Sequence, residues 1–210
     1  MDTYRLAVKL FLTDPNAVDP VGVIGLFHRW IQTHRIPGLL IDVCDYDHVP
    51  DSPGVGLIGH EADLFLDDSE GPRGLMYVRK HPFEAADEGD QQTRLAAAFR
   101  LALTACSRFE EDYKPGAKTG TAAAPAKASG KAQFGGCEAL VIFNDRLNAP
   151  NDEAGCAAAL PTVQALAHKL YGGAKVDVTR VKNDPRKRLT LRIKSSAAAI
   201  APSALLARLG

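Results

Sequence analysis

The segment RLAVKLFLT, at positions 5–13, constrains the fold most because it has strand periodicity and apolar residues on both faces. One face carries Leu6, Val8, Leu10 and Leu12, and the other carries Ala7, Lys9 and Phe11. Apolar residues on both faces are typical of a strand in the interior of a sheet. We therefore expect a sheet built around this strand.

The first half of the chain continues with a helix and three more strands. Asp19 and Pro20 form an N-cap and N1 pair, and Pro37-Gly38 ends the predicted helix. Strands are expected at about 39–49 and 56–66, joined by the turn PDSPGV, and at 74–80. Asp90 then caps a helix with apolar residues at helical spacing. Residues 1–113 are thus predicted to form a β-α-β-β-β-α unit.

A break in composition follows at residues 114–133, KPGAKTGTAAAPAKASGKAQ. This segment has no aromatic or large aliphatic residue, so it buries too little apolar surface to order itself. We predict a flexible linker that divides the chain.

The second half, residues 134–195, is predicted to be a shorter β-α-β-β unit. It begins with a buried strand at 138–144, and a helix is expected to start near Pro161 and end at Gly172. A hairpin at 174–181 and 188–194 follows. The apolar tail at 196–210 either docks on the body or frays.

Short sequence matches relate the two halves. The first strand ends FLTDPNAVD and its later counterpart ends FNDRLNAPND, while GLLIDV and GAKVDV follow the two helices. Strand-helix-strand-strand is the opening of a ferredoxin-like unit. The predicted fold class is therefore α+β, with two related β-α-β-β units, a mixed or antiparallel sheet and helices on one face.

Composition narrows the expected partners and the compartment. The chain has 25 Lys and Arg against 25 Asp and Glu, so its formal net charge is zero. Overall charge therefore does not favour binding to nucleic acid or to an anionic membrane. Its four cysteines form no C-x-x-C pair, which argues against a zinc ribbon. The N-terminus lacks a signal peptide, and no apolar run is long enough to span a bilayer. A soluble cytoplasmic protein with reduced thiols is expected.

The stretch IDVCDYDHVPDSPGVGLIGHEAD, at positions 41–63, contains the candidate catalytic residues Asp45 and His60. If 39–49 and 56–66 form one hairpin, Asp45 lies opposite His60 on the core side. An aspartate paired in this way holds an imidazole in one tautomer, as a general base requires. The alternative is a satisfied polar pair near the end of the sheet.

The other side of the same predicted hairpin contains the candidate metal ligands Asp42, His48, Glu61 and Asp63. Asp42 is expected opposite Asp63, where two carboxylates repel each other unless a cation intervenes. The carboxylates suit magnesium or manganese, whereas His48 and Cys44 favour zinc. A divalent metal ion is thus the one cofactor indicated, and a solvated acidic face is the alternative.

Two basic segments are weaker candidates for anion binding. Arg73, Arg79, Lys80 and His81 flank the strand at 74–80, and KNDPRKR lies at a hairpin tip at 182–188. No aromatic residues are interleaved with KNDPRKR to stack on bases, so nucleic acid is not an expected partner.

The segments GLLIDV, DYDHVPDSPGVGLIGHEADLFLD, GLMYVRK and NDRLNAP resemble an uncharacterised family of bacterial proteins. The resemblance covers most of the chain outside the linker. It implies a bacterial, cytoplasmic protein and no particular activity.

The function predicted from these observations is a non-catalytic binding or assembly protein for an unknown protein or small-molecule ligand. The alternative is a metal-assisted, hydrolase-like enzyme that uses the acidic and histidine residues at 41–63. Neutral charge and an open sheet edge also favour a homodimer.

Overall fold

In the computed structural model, residues 2–50, 52–84, 87–115 and 130–210 are described. These residues form strands β1 (Leu6–Leu12), β2 (Leu40–Asp45), β3 (Val55–Gly59), β4 (Ala62–Asp67), β5 (Gly74–Arg79), β6 (Phe134–Phe143), β7 (Val176–Arg180) and β8 (Leu189–Ser195). The helices are α1 (Pro20–Thr33), α2 (Gln91–Asp112), α3 (Glu153–Tyr171) and α4 (Pro202–Ala207), with a 3-10 turn at Pro15–Ala17. No helix in these ranges is long and apolar enough to cross a membrane.

All eight strands belong to one antiparallel sheet with the order β2-β3-β4-β5-β1-β6-β8-β7. The predicted interior position of β1 is confirmed, because it pairs with β5 on one side and with β6 on the other. Ala7, for example, lies opposite Val78 and Ile142. The pairing of β1 with β6 joins the two halves of the chain into a single sheet, and the α+β class is confirmed.

The predicted ferredoxin-like duplication is not confirmed. Both halves place the strand after their first helix at an outer edge of the sheet, β2 in the first half and β7 in the second. Four strands, β2 to β5, then return to β1, whereas only β7 and β8 return to β6. The first half thus has four strands after its first helix, two more than a β-α-β-β unit has.

One of these two strands is β5, which the sequence predicted at 74–80. The other arises because the predicted strand 56–66 turns at His60 and Glu61. The close approach at Gly59 requires glycine, since a Cβ there would lie 2.4 Å from the carbonyl oxygen of Ala62. The sequence contains a signal for this turn, because the buried residues change from odd to even positions. They are Val55 and Leu57 before the turn and Leu64 and Leu66 after it.

The main core lies between the sheet and the helices. The β1 side chains Leu6, Val8 and Leu10 belong to the same buried cluster as Phe27 of α1 and Phe109 of α2. We call the side of the sheet that carries this cluster the helix-covered face. The smaller apolar cluster on the opposite face, built from Ala7, Met76, Leu140 and Ile142, contains no helix residue within the described ranges.

Lys9 interrupts the apolar residues on that opposite face. Its Nζ atom lies 2.5 Å from Oδ2 of Asp67, and both side chains are fully buried. The same ammonium donates to the backbone oxygens of Asp67 and Glu70, at 2.9 and 3.0 Å. This ion pair ties β1 to the turn between β4 and β5.

The sequence also predicted a linker, the two possible states of the C-terminal tail and the start of α3. Most of the predicted linker, at 116–129, lies outside the described residues, but Ala132 near its end is fully buried. The tail docks, since α4 packs on α2 and Leu205 and Leu209 are buried. The predicted start of α3 near Pro161 is wrong, because Asp152 caps the helix two turns earlier and the proline lies inside it.

Candidate functional site

The predicted pairing of Asp45 with His60 is wrong. Asp45 lies opposite Val55, and His60 lies in the turn between β3 and β4. The exposed ring of His60 stacks instead on that of His81, with centroids 4.8 Å apart and planes 12° apart. The register of the strand pair causes this difference, because β2 and β3 pair five residues away from the predicted register (Val55, not His60, faces Asp45). His60 follows the end of β3, where its backbone N–H donates to the oxygen of Leu39. The general-base role predicted for His60 therefore loses the geometry on which it rested.

The predicted opposition of Asp42 and Asp63 is also wrong. Asp42 of β2 lies opposite Ile58 of β3, whereas Asp63 of β4 lies opposite Val78 of β5. The Oδ1 atom of Asp63 accepts a hydrogen bond from Nζ of Lys80 at 2.7 Å. This ammonium already supplies the positive charge that a metal ion was expected to bring.

The remaining candidate ligands lie apart as well. The Glu61 carboxylate accepts the backbone N–H of Leu39 at 3.0 Å, and this bond lowers its pKa. His48 is exposed in the turn after β2, and burial raises the pKa of the Cys44 thiol. Across the described residues, no three His, Cys, Asp or Glu side chains gather as a metal site requires. The predicted set of Asp42, His48, Glu61 and Asp63 does not assemble.

A pocket of about 240 Å³ opens instead on the helix-covered face, next to Glu61. It lies between the start of β2, the turn after β3, helix α2 and the segment that follows β5. This volume exceeds the roughly 150 Å³ of an engineered cavity that binds benzene and falls below that of drug-sized sites. Most of the wall is apolar and includes Leu40, Leu57, Leu64, Phe83, Leu101 and Ala105.

The Tyr77 hydroxyl is the most informative polar group in the pocket wall. Tyr77 is 6% exposed, and its Oη atom has no hydrogen-bond partner among the described residues. A buried hydroxyl without a partner costs about 1–3 kcal/mol. Burial raises its pKa, and the neighbouring Arg79 guanidinium opposes the rise more weakly as a donor and a positive charge, so the hydroxyl stays protonated at neutral pH. A guanidinium accepts no hydrogen bond, so the hydroxyl proton has no acceptor among the described residues. The hydroxyl is therefore a hydrogen-bond donor available to a molecule in the pocket.

Arg79 holds one wall of this pocket in place. Its Nε atom donates to the backbone oxygen of His81 at 2.6 Å, and Nη2 donates to that of Pro82. The guanidinium also lies over the ring of Phe83, 4.4 Å from the centroid. Arg79, proposed from the sequence as an anion-binding residue, thus fixes the segment after β5 and positions Phe83.

Tyr77 is not among the candidate residues predicted from the sequence. A signal was present in GLMYVRK, where Leu75, Tyr77 and Arg79 alternate along β5 and share one face. Two residues with polar ends therefore follow a leucine on the helix-covered face. Such residues need partners when they are buried, and Tyr77 lacks one in the described part of the chain.

Comparisons of the chain with models of protein families, with curated proteins and with solved structures found no match. This result is consistent with the resemblance to a family without a known activity, and it does not show a bacterial origin.

Proposed function

We propose that this protein is a non-catalytic binding protein and that the pocket beside Tyr77 holds its small-molecule ligand. The observation that carries the proposal is the buried Tyr77 hydroxyl, which lines an apolar pocket and has no partner among the described residues. The ligand has an apolar body and one hydrogen-bond acceptor that meets this hydroxyl. Binding would then remove the cost of the unpaired donor.

The polar groups around the pocket favour binding over catalysis. The raised pKa of Tyr77 keeps the hydroxyl protonated, so it is neither a base nor a nucleophile at neutral pH. Arg79 donates to two backbone oxygens, and Glu61 accepts a backbone N–H. These groups therefore shape the pocket and hold its rim.

Two probes of similar shape test the proposal. Acetophenone carries a carbonyl acceptor, and ethylbenzene has the same outline without one. Titration of the full chain, followed by two-dimensional amide NMR, should show both probes shifting resonances of pocket residues such as Leu64 and Leu101. Acetophenone should bind more tightly because it accepts from Tyr77. Failure of both probes to shift pocket resonances would refute the proposal.

The substitution Tyr77→Phe isolates the hydroxyl. It should leave unfolding free energy almost unchanged or raise it, since it removes an unsatisfied donor, and it should abolish the preference for acetophenone. The matched control is Tyr171→Phe, because the Tyr171 hydroxyl donates to the backbone oxygen of Gly136 at 2.8 Å. This control should lose about 0.5–1.5 kcal/mol of unfolding free energy and keep the preference for acetophenone. Equal losses in both variants would mean that Tyr77 already has a partner.

A further inference from the structure

A second surface lies at a different place in the fold. It is an open cleft of about 1090 Å³ at one end of the central strands, formed by the start of β1, the β4–β5 turn, the loop after β6 and the loop before β8. We call it the basic cleft, because its lining includes Arg5, Arg146, Arg186, Lys187 and Arg188, with Glu70 and Asp145 as its acidic residues.

Both acidic residues of the basic cleft already have partners. Oε1 of Glu70 lies 2.6 Å from Nη2 of Arg188. The carboxylate of Asp145 accepts from the side-chain amide and the backbone N–H of Asn148, and these bonds lower its pKa. Among the described residues, four cations of the cleft make no ion pair, namely Arg5, Arg146, Arg186 and Lys187. The cleft therefore presents positive charge to solvent.

Hydrogen bonds brace the two loops that carry three of these cations. The side-chain amide of Asn151 donates to the side chain of Asn183 at 2.6 Å and to the backbone oxygen of Asp184 at 3.0 Å. Nη1 of Arg146 donates to the backbone oxygen of Arg186 at 3.0 Å. The cations are thus held on a preorganised surface, which lowers the entropy cost of binding.

An exposed leucine lies in the same surface. Leu147 lines the basic cleft next to Arg146 and is 94% exposed, the highest value among the large hydrophobic residues exposed in the described ranges. Arginine is enriched in protein–protein interfaces, and an exposed leucine beside it offers apolar area that a partner can bury. A free phosphate would not use the leucine, and nucleic acid would favour aromatic residues, which are absent from the lining of the cleft.

We propose that the basic cleft docks an acidic surface of a partner protein, with Leu147 inserted into an apolar depression of that partner. The cations steer and orient the acidic surface, and burial of Leu147 supplies apolar contact area. This inference does not depend on the ligand pocket beside Tyr77.

Fluorescence anisotropy with labelled polymers tests the inference on the full chain. The probes are a peptide that repeats Glu-Glu-Leu, the same peptide with Ser in place of Leu, and an oligothymidylate of equal charge. The Glu-Glu-Leu peptide should bind most tightly, and added salt should weaken it. The double variant Arg146→Glu with Arg186→Glu should weaken binding about tenfold or more. Arg29→Glu, on the exposed surface of α1, is the matched control and should have no effect.

Leu147→Ser separates the apolar contact from the charge. It should weaken binding of the Glu-Glu-Leu peptide about tenfold. The affinity for the Glu-Glu-Ser peptide and the melting temperature of the protein should stay unchanged. Absence of peptide binding, tighter binding of oligothymidylate than of peptide, or an unchanged affinity in Leu147→Ser would each overturn the inference.

Discussion

Replacing Lys9 with Met should expose the energetic role of the ion pair on the opposite face of the sheet. In wild type, the Lys9 ammonium bonds to the Asp67 carboxylate and to two backbone oxygens, so all three of its protons are used. In the variant, Asp67 keeps its hydrogen bonds from Ser69 and Glu70 but loses the one cation that it pairs with in the described part of the chain. Removing one partner of a buried pair costs about 3–5 kcal/mol. That loss is a large share of the roughly 5–15 kcal/mol that stabilises a typical domain.

Urea unfolding followed by fluorescence measures this loss, because the chain has a single tryptophan, Trp30, and it is 1% exposed.

The double variant Lys9→Met with Asp67→Asn provides the control. It removes both charges, so its cost should be clearly smaller than the sum of the two single substitutions. A deficit below about 1 kcal/mol for Lys9→Met at neutral pH would refute the assignment of a buried ionised pair.

Three further substitutions have defined expectations. Asp152→Ala should cost about 1 kcal/mol in urea unfolding, because the carboxylate accepts an N–H of the first turn of α3 at 2.8 Å. Asp152→Asn should retain most of the stabilisation by the cap, and an equal loss in both variants would contradict capping. Burial raises the pKa of Glu110 above the 4.5 of an exposed glutamate, although a backbone N–H bond opposes the rise. The wild-type free energy of unfolding therefore falls as pH rises from about 4.5 to the raised pKa. Glu110→Gln should thus be more stable than wild type at pH 7, with an advantage that disappears below about pH 4.5; a constant advantage in unfolding free energy across pH would refute this. Gly56→Ala should cost about 1–3 kcal/mol by thermal or urea unfolding, because its Cβ would lie 2.5 Å from the Phe65 ring and 2.6 Å from Sγ of Cys44; a neutral result would mean that these side chains move freely.

Local patterns predicted most of the elements. Apolar residues on both faces of β1 placed it in the sheet interior, and Asp19-Pro20 located the start of α1. Asp90 caps α2 as expected, by accepting the N–H of Thr93 at 2.8 Å. These features depend on neighbours within a few residues, so the sequence shows them directly.

The candidate site could not be predicted in the same way. Two errors placed His60 opposite Asp45 and Asp63 opposite Asp42. The register assumed for the hairpin was five residues away from the observed one, and 56–66 was read as a single strand. The period-2 pattern fixes which side chains share a face but not where a chain turns back, and one added turn changes every partner that follows. The change of the buried apolar residues from odd positions, Val55 and Leu57, to even positions, Leu64 and Leu66, was the sequence signal for the turn at His60 and Glu61.

The sequence by itself determined that the chain is α+β, that β1 is apolar on both faces and that 114–133 contains no aromatic or large aliphatic residue. Tertiary structure decided that β6 pairs with β1, that Asp67 meets Lys9, and that Tyr77 lies in a pocket completed by α2 and Phe83. The physical reason is the range of the interactions. Caps and alternation act between neighbours in the chain, whereas strand order and pockets depend on how all apolar faces are buried together.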